Sequence, residues 1–300
     1  MIGDSQMIKF DDIIGELGSI DYKKPRQFSP GFVARCSNFA RQKILEITTL
    51  NKSGHLAGSL SCIDILITLY SSILIHNPKN SSWDDRDRFV LSKGHAAPAF
   101  YTTLAFCGYL PVSELETLRR INSRLQGHPD SKRLPGVEIS TGSLGLGFSA
   151  AVGMALGLKT DAKKSRVFTL LGDGECDEGS VWEAAMFASH YDLKNITAII
   201  DRNGYQIDGP TQKVMNLEPF AEKWRAFGWD VDGINGHDYV QIFESLRDAA
   251  GKRMVIIAST IKGAGVSFLE NNNAYHSKPC DEVKCKEAID ELSRKVCEIA

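Results

Sequence analysis

Three hundred residues, 43% hydrophobic and 24% charged, give the balance of a soluble globular protein and exclude disordered, collagen-like and disulfide-scaffold chains. A chain of this length buries roughly 75% of its unfolded surface, so it needs no disulfide or metal staple. Thirty-five Lys and Arg against 37 Asp and Glu leave a net charge of -2, which argues against nucleic-acid binding by broad phosphate neutralisation.

Residues 1–28 read as a loosely structured lead-in, without the basic-then-apolar order of a secretory signal, and Pro25 and Pro30 frame a turn. From Gly31 to about Lys52, apolar residues (Phe32, Val33, Ile44, Leu45, Ile47) recur at helical spacing until Ser53-Gly54-His55 interrupts them. The pattern then predicts a helix from Leu60 to Leu74 and a short strand from Arg88 to Leu91. That strand runs into Ser92-Lys93-Gly94-His95 and a helix reaching Cys107. A small helix follows Val112, with Ser113 as N-cap, and Gln126 to Thr141 reads as a long loop.

Beyond it the alternation sharpens. A small-residue helix (Ser143 to Leu158) precedes a wholly apolar strand (Val167 to Leu171) that ends in Gly172-Asp173-Gly174. Next come a helix (Ser180 to Tyr191), a strand (Ile196 to Ile200) and a loop (Asp201 to Gly209). A helix near Glu218 to Phe227, a strand around Val231, a helix from Asp238 to Ala250 and a strand from Val255 to Ala258 follow. Residues 281–298 form a last amphipathic helix. Apolar strands alternating with helices imply an α/β fold, a parallel sheet flanked by helices on both faces, as one domain over residues 1–300. No stretch approaches 18 uncharged apolar residues, so no membrane span is expected. Seven scattered cysteines with no CxxC pair suit reduced thiols and a cytoplasmic protein.

In a parallel α/β sheet, ligands collect beyond the carboxyl ends of the strands. Gly172-Asp173-Gly174 falls there, and Asn203 follows the next buried strand, with 28 residues separating it from Gly174. Oxygens from Asp173 and Asn203, joined by a diphosphate, suit magnesium, and amides at the following helix start would take phosphate charge. Gly-Asp-Gly alone, or Asp201-Arg202-Asn203-Gly204 alone, is an ordinary turn; their combination favours a site without naming its ligand. Gly142-Ser143-Leu144-Gly145-Leu146-Gly147 is GxxGxG, not a dinucleotide fingerprint. Among the histidines, His76, His190 and His237 read as surface, packing or capping residues. His55, His95, His128 and His276 lie beside glycines or loops, where imidazole can donate to hydroxyls and carry protons near neutral pH. Lys262 reads as a solvent-facing structural lysine.

The run GDGECDEGSVWEAAMFASHYDLKNITAIIDRNGYQIDG resembles the thiamine-diphosphate-binding segment of transketolases, and residues 34–278 resemble that family's amino-terminal, diphosphate-binding domain. The resemblance implies the thiamine-diphosphate-binding fold, with magnesium or calcium held by Asp173, the Asn203 side chain and the Tyr205 carbonyl. Gly174 and the backbone of Gly142, Ser143 and Leu144 would bind the cofactor, although Ser143 and Leu146 depart from the family's Thr-Gly-Pro-Leu-Gly-Gln-Gly. His55 in SGH, His95 in SKGH and His128 in GHPD fall on active-site histidines. His55 and His128 would contact the donor's carbonyl or hydroxyls, and His95 would lie near diphosphate and substrate. His276 matches a further histidine near both, with Ser277 in place of the usual glycine. Glu178 matches a glutamate near the domain interface.

Family transketolases carry two further domains, one of which holds the glutamate that activates the cofactor. The resemblance therefore implies the amino-terminal subunit of a split transketolase, needing a separate carboxy-terminal partner, as an α2β2 heterotetramer. Its reaction would move a two-carbon ketol unit from a ketose phosphate to an aldose phosphate, with no nucleic-acid or membrane partner. The alternatives are the alpha subunit of a thiamine-diphosphate-dependent 2-oxo-acid dehydrogenase and a noncatalytic transketolase-like binding subunit.

Overall fold

The computed structural model describes residues 9–299, with side chains described to residue 295. The strands are β1 (Arg88–Leu91), β2 (Val167–Gly172), β3 (Ile196–Arg202), β4 (Tyr205–Gln206), β5 (Gly209–Pro210), β6 (Asp230–Asn235) and β7 (Met254–Ser259). Five of them form a parallel sheet in the order β1-β2-β3-β7-β6, and β4 pairs with β5 as a small antiparallel hairpin. Strand order reverses between β3 and β7, which makes their carboxyl ends the place for a ligand.

Side chains along a strand alternate between faces, and here both faces are buried. Phe168 and Leu170 of β2 point into one apolar layer, Val167 and Leu171 into the other. The first layer contains α1 (Phe10–Ser19), α2 (Pro30–Leu50), α3 (Leu56–Thr68), α4 (Ala97–Phe106), α9 (Tyr239–Asp248) and α10 (Glu282–Ile299). The second contains α5 (Leu146–Thr160), α6 (Gly179–His190) and α8 (Phe220–Ala226), the last preceded by a single turn, α7 (Thr211–Val214). The expected parallel sheet with helices on both faces is thus the observed one.

Several local expectations change. Residues 1–8 lie outside the described residues, but the rest of the supposed lead-in is folded. Phe10, Ile13, Ile14 and Leu17 share one face of α1, and Phe10 packs edge-on against Phe39 and Phe106 at 5.8 and 5.5 Å. Arg26 then donates to the carbonyls of Ser71 and Leu74, both at 2.7 Å. Helix α3 begins at Leu56, before the predicted Leu60, and runs on into a π turn, Leu69–Ile73. This stretch reaches the length and hydropathy of a membrane span, with 18 residues and a mean hydropathy of 1.6, but 94% of it is buried inside the protein, as a core helix.

Ser113 does not cap its helix: the turn Val112–Thr117 is 3-10 and is preceded by Pro111. Helix α5 starts at Leu146, three residues later than predicted, because Gly145 adopts φ +80. His237 belongs to a partly buried network, with Nδ1 2.8 Å from Asp64 Oδ2, while Arg41 grips both Asp64 oxygens and Tyr239 donates to Oδ1.

Candidate active site

The polar residues that sequence reasoning singled out converge where β1, β2, β3 and β7 end. Lys93, just past β1 and 1% exposed, pairs with Asp201 at the end of β3 and donates to the Gly58 carbonyl at 3.3 Å. Asp201 is fully buried and also accepts from Ser61 Oγ at 2.6 Å, from Thr260 Oγ1 and from Asn203 Nδ2 at 3.2 Å. Burial alone would raise its pKa; Lys93 and these bonds outweigh that and hold it below the usual carboxylate range.

Asp173, at the end of β2, is 2% exposed and accepts from the amides of Gly204 at 2.7 Å and Gly174 at 2.9 Å. Burial and the neighbouring Asp201 push it up to about 6. Lys93 is committed to Asp201, so Asp173 lacks a cation of its own. Asn203 Oδ1, fixed by the Tyr205 amide at 3.1 Å, lines the same cleft as Asp173 and Tyr205. A buried carboxylate with a neighbouring amide oxygen is a hard-oxygen donor set, which fits magnesium or calcium. Among the described residues no three His, Cys, Asp or Glu side chains cluster as metal ligands, so a cation held by this pair would take its other ligands from backbone or bound-ligand oxygens.

The cleft over this pair has a volume of about 370 Å³. His55, His95, His128 and His276 all line it, although their positions in the chain span more than two hundred residues. The His55 ring lies 5.3 Å from that of His95, 6.3 Å from His128 and 5.6 Å from His276. Burial, then the Arg119 charge, lowers His55 to about 4; burial, then Lys262, lowers His276 to about 3. His95 is pushed well below the ordinary value by burial and Lys93, and His128 is lowered by burial and Arg119. All four rings are therefore neutral at pH 7, each able to donate from one nitrogen and accept at the other.

Lys262 is not solvent-facing: it is 1% exposed, with Nζ 2.6 Å from Asn273 Oδ1 and 2.7 Å from His276 Nδ1. Burial and Lys93 lower it to about 8, leaving a cation aimed into the cleft. Gly142, Leu144 and Gly174 line the cleft, whereas Ser143 is exposed and does not. Glu178 is an exposed residue on the rim, preceding α6. Sequence reasoning missed Lys93, Asp201 and Glu175. Glu175 is 2% exposed and accepts from Ser92 Oγ at 2.5 Å and from the amides of Gly145 at 2.9 Å and Gly172 at 3.0 Å. The available signal was a charged residue beside each flagged motif, at the edge of a buried strand.

A hard-oxygen pair at the reversal point of a parallel sheet, beneath a cleft of neutral histidines, defines an α/β protein suited to holding a diphosphate through a cation. Residues 34–295 match the family model described as transketolase, thiamine diphosphate binding domain. The chain is 45% identical over 262 residues to 6-deoxy-6-sulfo-D-fructose transketolase subunit SqwG of Clostridium sp. (strain MSTE9), covering 86% of this chain and 95% of that one. It is 41% identical to one of the subunits of the apulose-4-phosphate transketolase of Phocaeicola vulgatus, covering 85% and 92%. The crystal structure of transketolase from Campylobacter jejuni superposes with a TM-score of 0.82 at 34% identity, over 88% of this chain and 42% of that one.

The chain belongs to the transketolase family and carries its thiamine diphosphate binding domain. It spans nearly all of the subunits it resembles and under half of full-length transketolases, such as 44% of the human enzyme. These relatives do not favour the 2-oxo-acid dehydrogenase or noncatalytic readings.

Proposed function

We propose that this chain provides the cofactor- and cation-binding half of the active site of a two-chain transketolase. In this reading a two-carbon ketol unit passes from a ketose phosphate to an aldose phosphate. Thiamine diphosphate, when bound, supplies the electron sink for breaking and forming the carbon–carbon bond. Asp173, Asn203 and the Tyr205 carbonyl are the groups that would hold a magnesium or calcium ion for its diphosphate. Lys262 adds positive charge at the same end of the cleft. Gly142 and Leu144 leave backbone open to an aromatic ring, since Gly142 at φ +149 lets the chain pass close to His128. The neutral histidines bind and orient sugar oxygens, and His55 and His128 polarise the donor carbonyl or hold its hydroxyls.

The observation that carries this reading is the single cleft shared by the Asp173–Asn203–Tyr205 cluster and all four histidines. The glutamate that activates the cofactor comes from the partner subunit, and Glu178 on the rim lies where it can couple to that subunit. An α2β2 assembly gives two such sites. Six buried free thiols among the described residues support a reducing compartment, the cytoplasm. The test is co-expression with a carboxy-terminal transketolase subunit, followed by a ketol-transfer assay with thiamine diphosphate and magnesium. A 6-deoxy-6-sulfo-ketose and apulose 4-phosphate are the first donors to try. Transfer is expected only when both chains are present, with a native mass equal to two of each. Full turnover by this chain alone would refute the proposal.

A further inference from the structure

Arg119 stands outside the cation cluster and lines no part of the cleft, yet it joins the two loops that carry His55 and His128. Its Nη1 donates to Ser53 Oγ at 3.0 Å, and its Nη2 donates to His55 Nδ1 and to the Gly127 carbonyl, both at 3.4 Å. The guanidinium lies so close over Gly127 that a Cβ there would sit 3.1 Å from Arg119 Cζ. The Arg119 backbone is held in the left-handed region, at φ +58, by a bond from its amide to the Leu125 carbonyl at 2.8 Å. Non-glycine residues adopt that conformation at a cost, and it persists only where the surroundings impose it.

A guanidinium has no acceptor, so the bond to His55 has one possible sense: Nδ1 is the bare nitrogen. The proton of the neutral ring then sits on Nε2. That atom has no partner among the described residues, and the ring lines the cleft. We propose that Arg119 is a positioning residue that clamps the His55 and His128 loops and fixes His55 as the Nε2–H tautomer, presenting that N–H to an oxygen of the donor sugar. This rests on the ketol-transfer reading for the sugar, but not for the tautomer. His55 also faces the rings of His95 and His276, while His128, Lys93 and Lys262 favour its neutral form alongside burial and Arg119.

The experiment is ring-nitrogen NMR of the 15N-labelled chain across a pH titration, with H55Q used to assign the signal. The wild type is expected to show protonated Nε2 and bare Nδ1. R119Q is expected to mix the tautomers and move the His55 titration upward from about 4 towards the ordinary 6.5, with R119K restoring part of the effect. In the complex with the partner subunit, R119Q should lower kcat/KM for the ketose by about tenfold or more. Thiamine diphosphate affinity should be unchanged. A wild-type spectrum with the proton on Nδ1, or an unmoved His55 titration in R119Q, would overturn the proposal. Because the tautomer is read without turnover, an absence of ketol transfer in the wild type would count against the function and not against Arg119.

Discussion

Asp173 shows how one residue's chemistry follows from its neighbours. A carboxylate this buried is kept only where something compensates its charge, and neither ammonium in reach is bonded to it: Lys93 is paired with Asp201, and Lys262 is bonded to Asn273 and His276. The missing positive charge is the argument for a cation. D173N should weaken magnesium-dependent binding of thiamine diphosphate by roughly a hundredfold, as read by calorimetry with and without the metal. An affinity equal to wild type would remove Asp173 from the ligand set. Glu175 is buried as well, but its bonds all run within the protein. An amide in its place would turn an NH2 group towards a backbone N–H. E175Q is therefore expected to lower unfolding free energy by about 1–3 kcal/mol, measured by denaturant titration.

At the scale of elements, the start of helix α5 approaches α6 and the end of β1 more closely than side chains would permit. Gly145 precedes it at φ +80, and a Cβ there would stand 2.2 Å from Ser180 Oγ; a Cβ on Gly147 would stand 2.7 Å from the Ser92 Cα. Both approaches follow directly on Gly142 and Leu144, which line the same cleft as Asp173 and Asn203. G145A combines backbone strain with a clash and should destabilise the chain by about 1–3 kcal/mol, seen as a lowered midpoint in thermal or urea unfolding. On the opposite face, Arg41 of α2 and Asp64 of α3 form a buried pair that His237 and Tyr239 complete. His237 Nε2 accepts from the Ile261 amide at 2.8 Å, so its Nδ1 proton goes to Asp64, which ties the segment before Lys262 to the helical layer. Removing the guanidinium in R41M strands a buried carboxylate, and a loss of about 3–5 kcal/mol is expected. An unchanged midpoint would show that His237 and Tyr239 suffice for Asp64.

For the whole molecule, the buried histidines set the response to acid. His76, bonded to Tyr109 Oη at 2.9 Å and to the Tyr70 carbonyl at 3.1 Å, is lowered to about 3 by burial. His55, His95 and His276 are lowered too. Each is neutral in the folded chain and binds a proton in the unfolded chain once pH drops below the ordinary 6.5. Depressed folded pKa values give stability that is present above 6.5 and lost as pH falls towards 3. Asp173, Glu175 and Asp177 work the other way, since their raised pKa values favour folding as pH falls, but five lowered histidines, His128 among them, oppose these three. The cofactor-free chain should therefore lose stability steadily from pH 7 to pH 5, as followed by urea midpoints. A flat profile would mean that these rings are hydrated in the folded chain.

The parallel α/β architecture was legible in the amino-acid sequence because burial on both faces demands continuous apolar strands such as Val167–Leu171, and such runs are local. The loop positions of Asp173, Asn203, His55, His95 and His128 were legible too, because their turns are written in adjacent residues. The helix at Phe10 was passed over because its value lies in aromatic contacts with Phe39 and Phe106, distant in the chain. Lys262 was misjudged, and Lys93, Asp201, Glu175 and Arg119 were overlooked, for the same reason. Whether a charged side chain faces water or a buried partner depends on what the sheet brings beside it, and a charge leaves no periodic trace of that. The pairing of Lys93 with Asp201, beside the buried carboxylate of Asp173, was decided by tertiary structure alone.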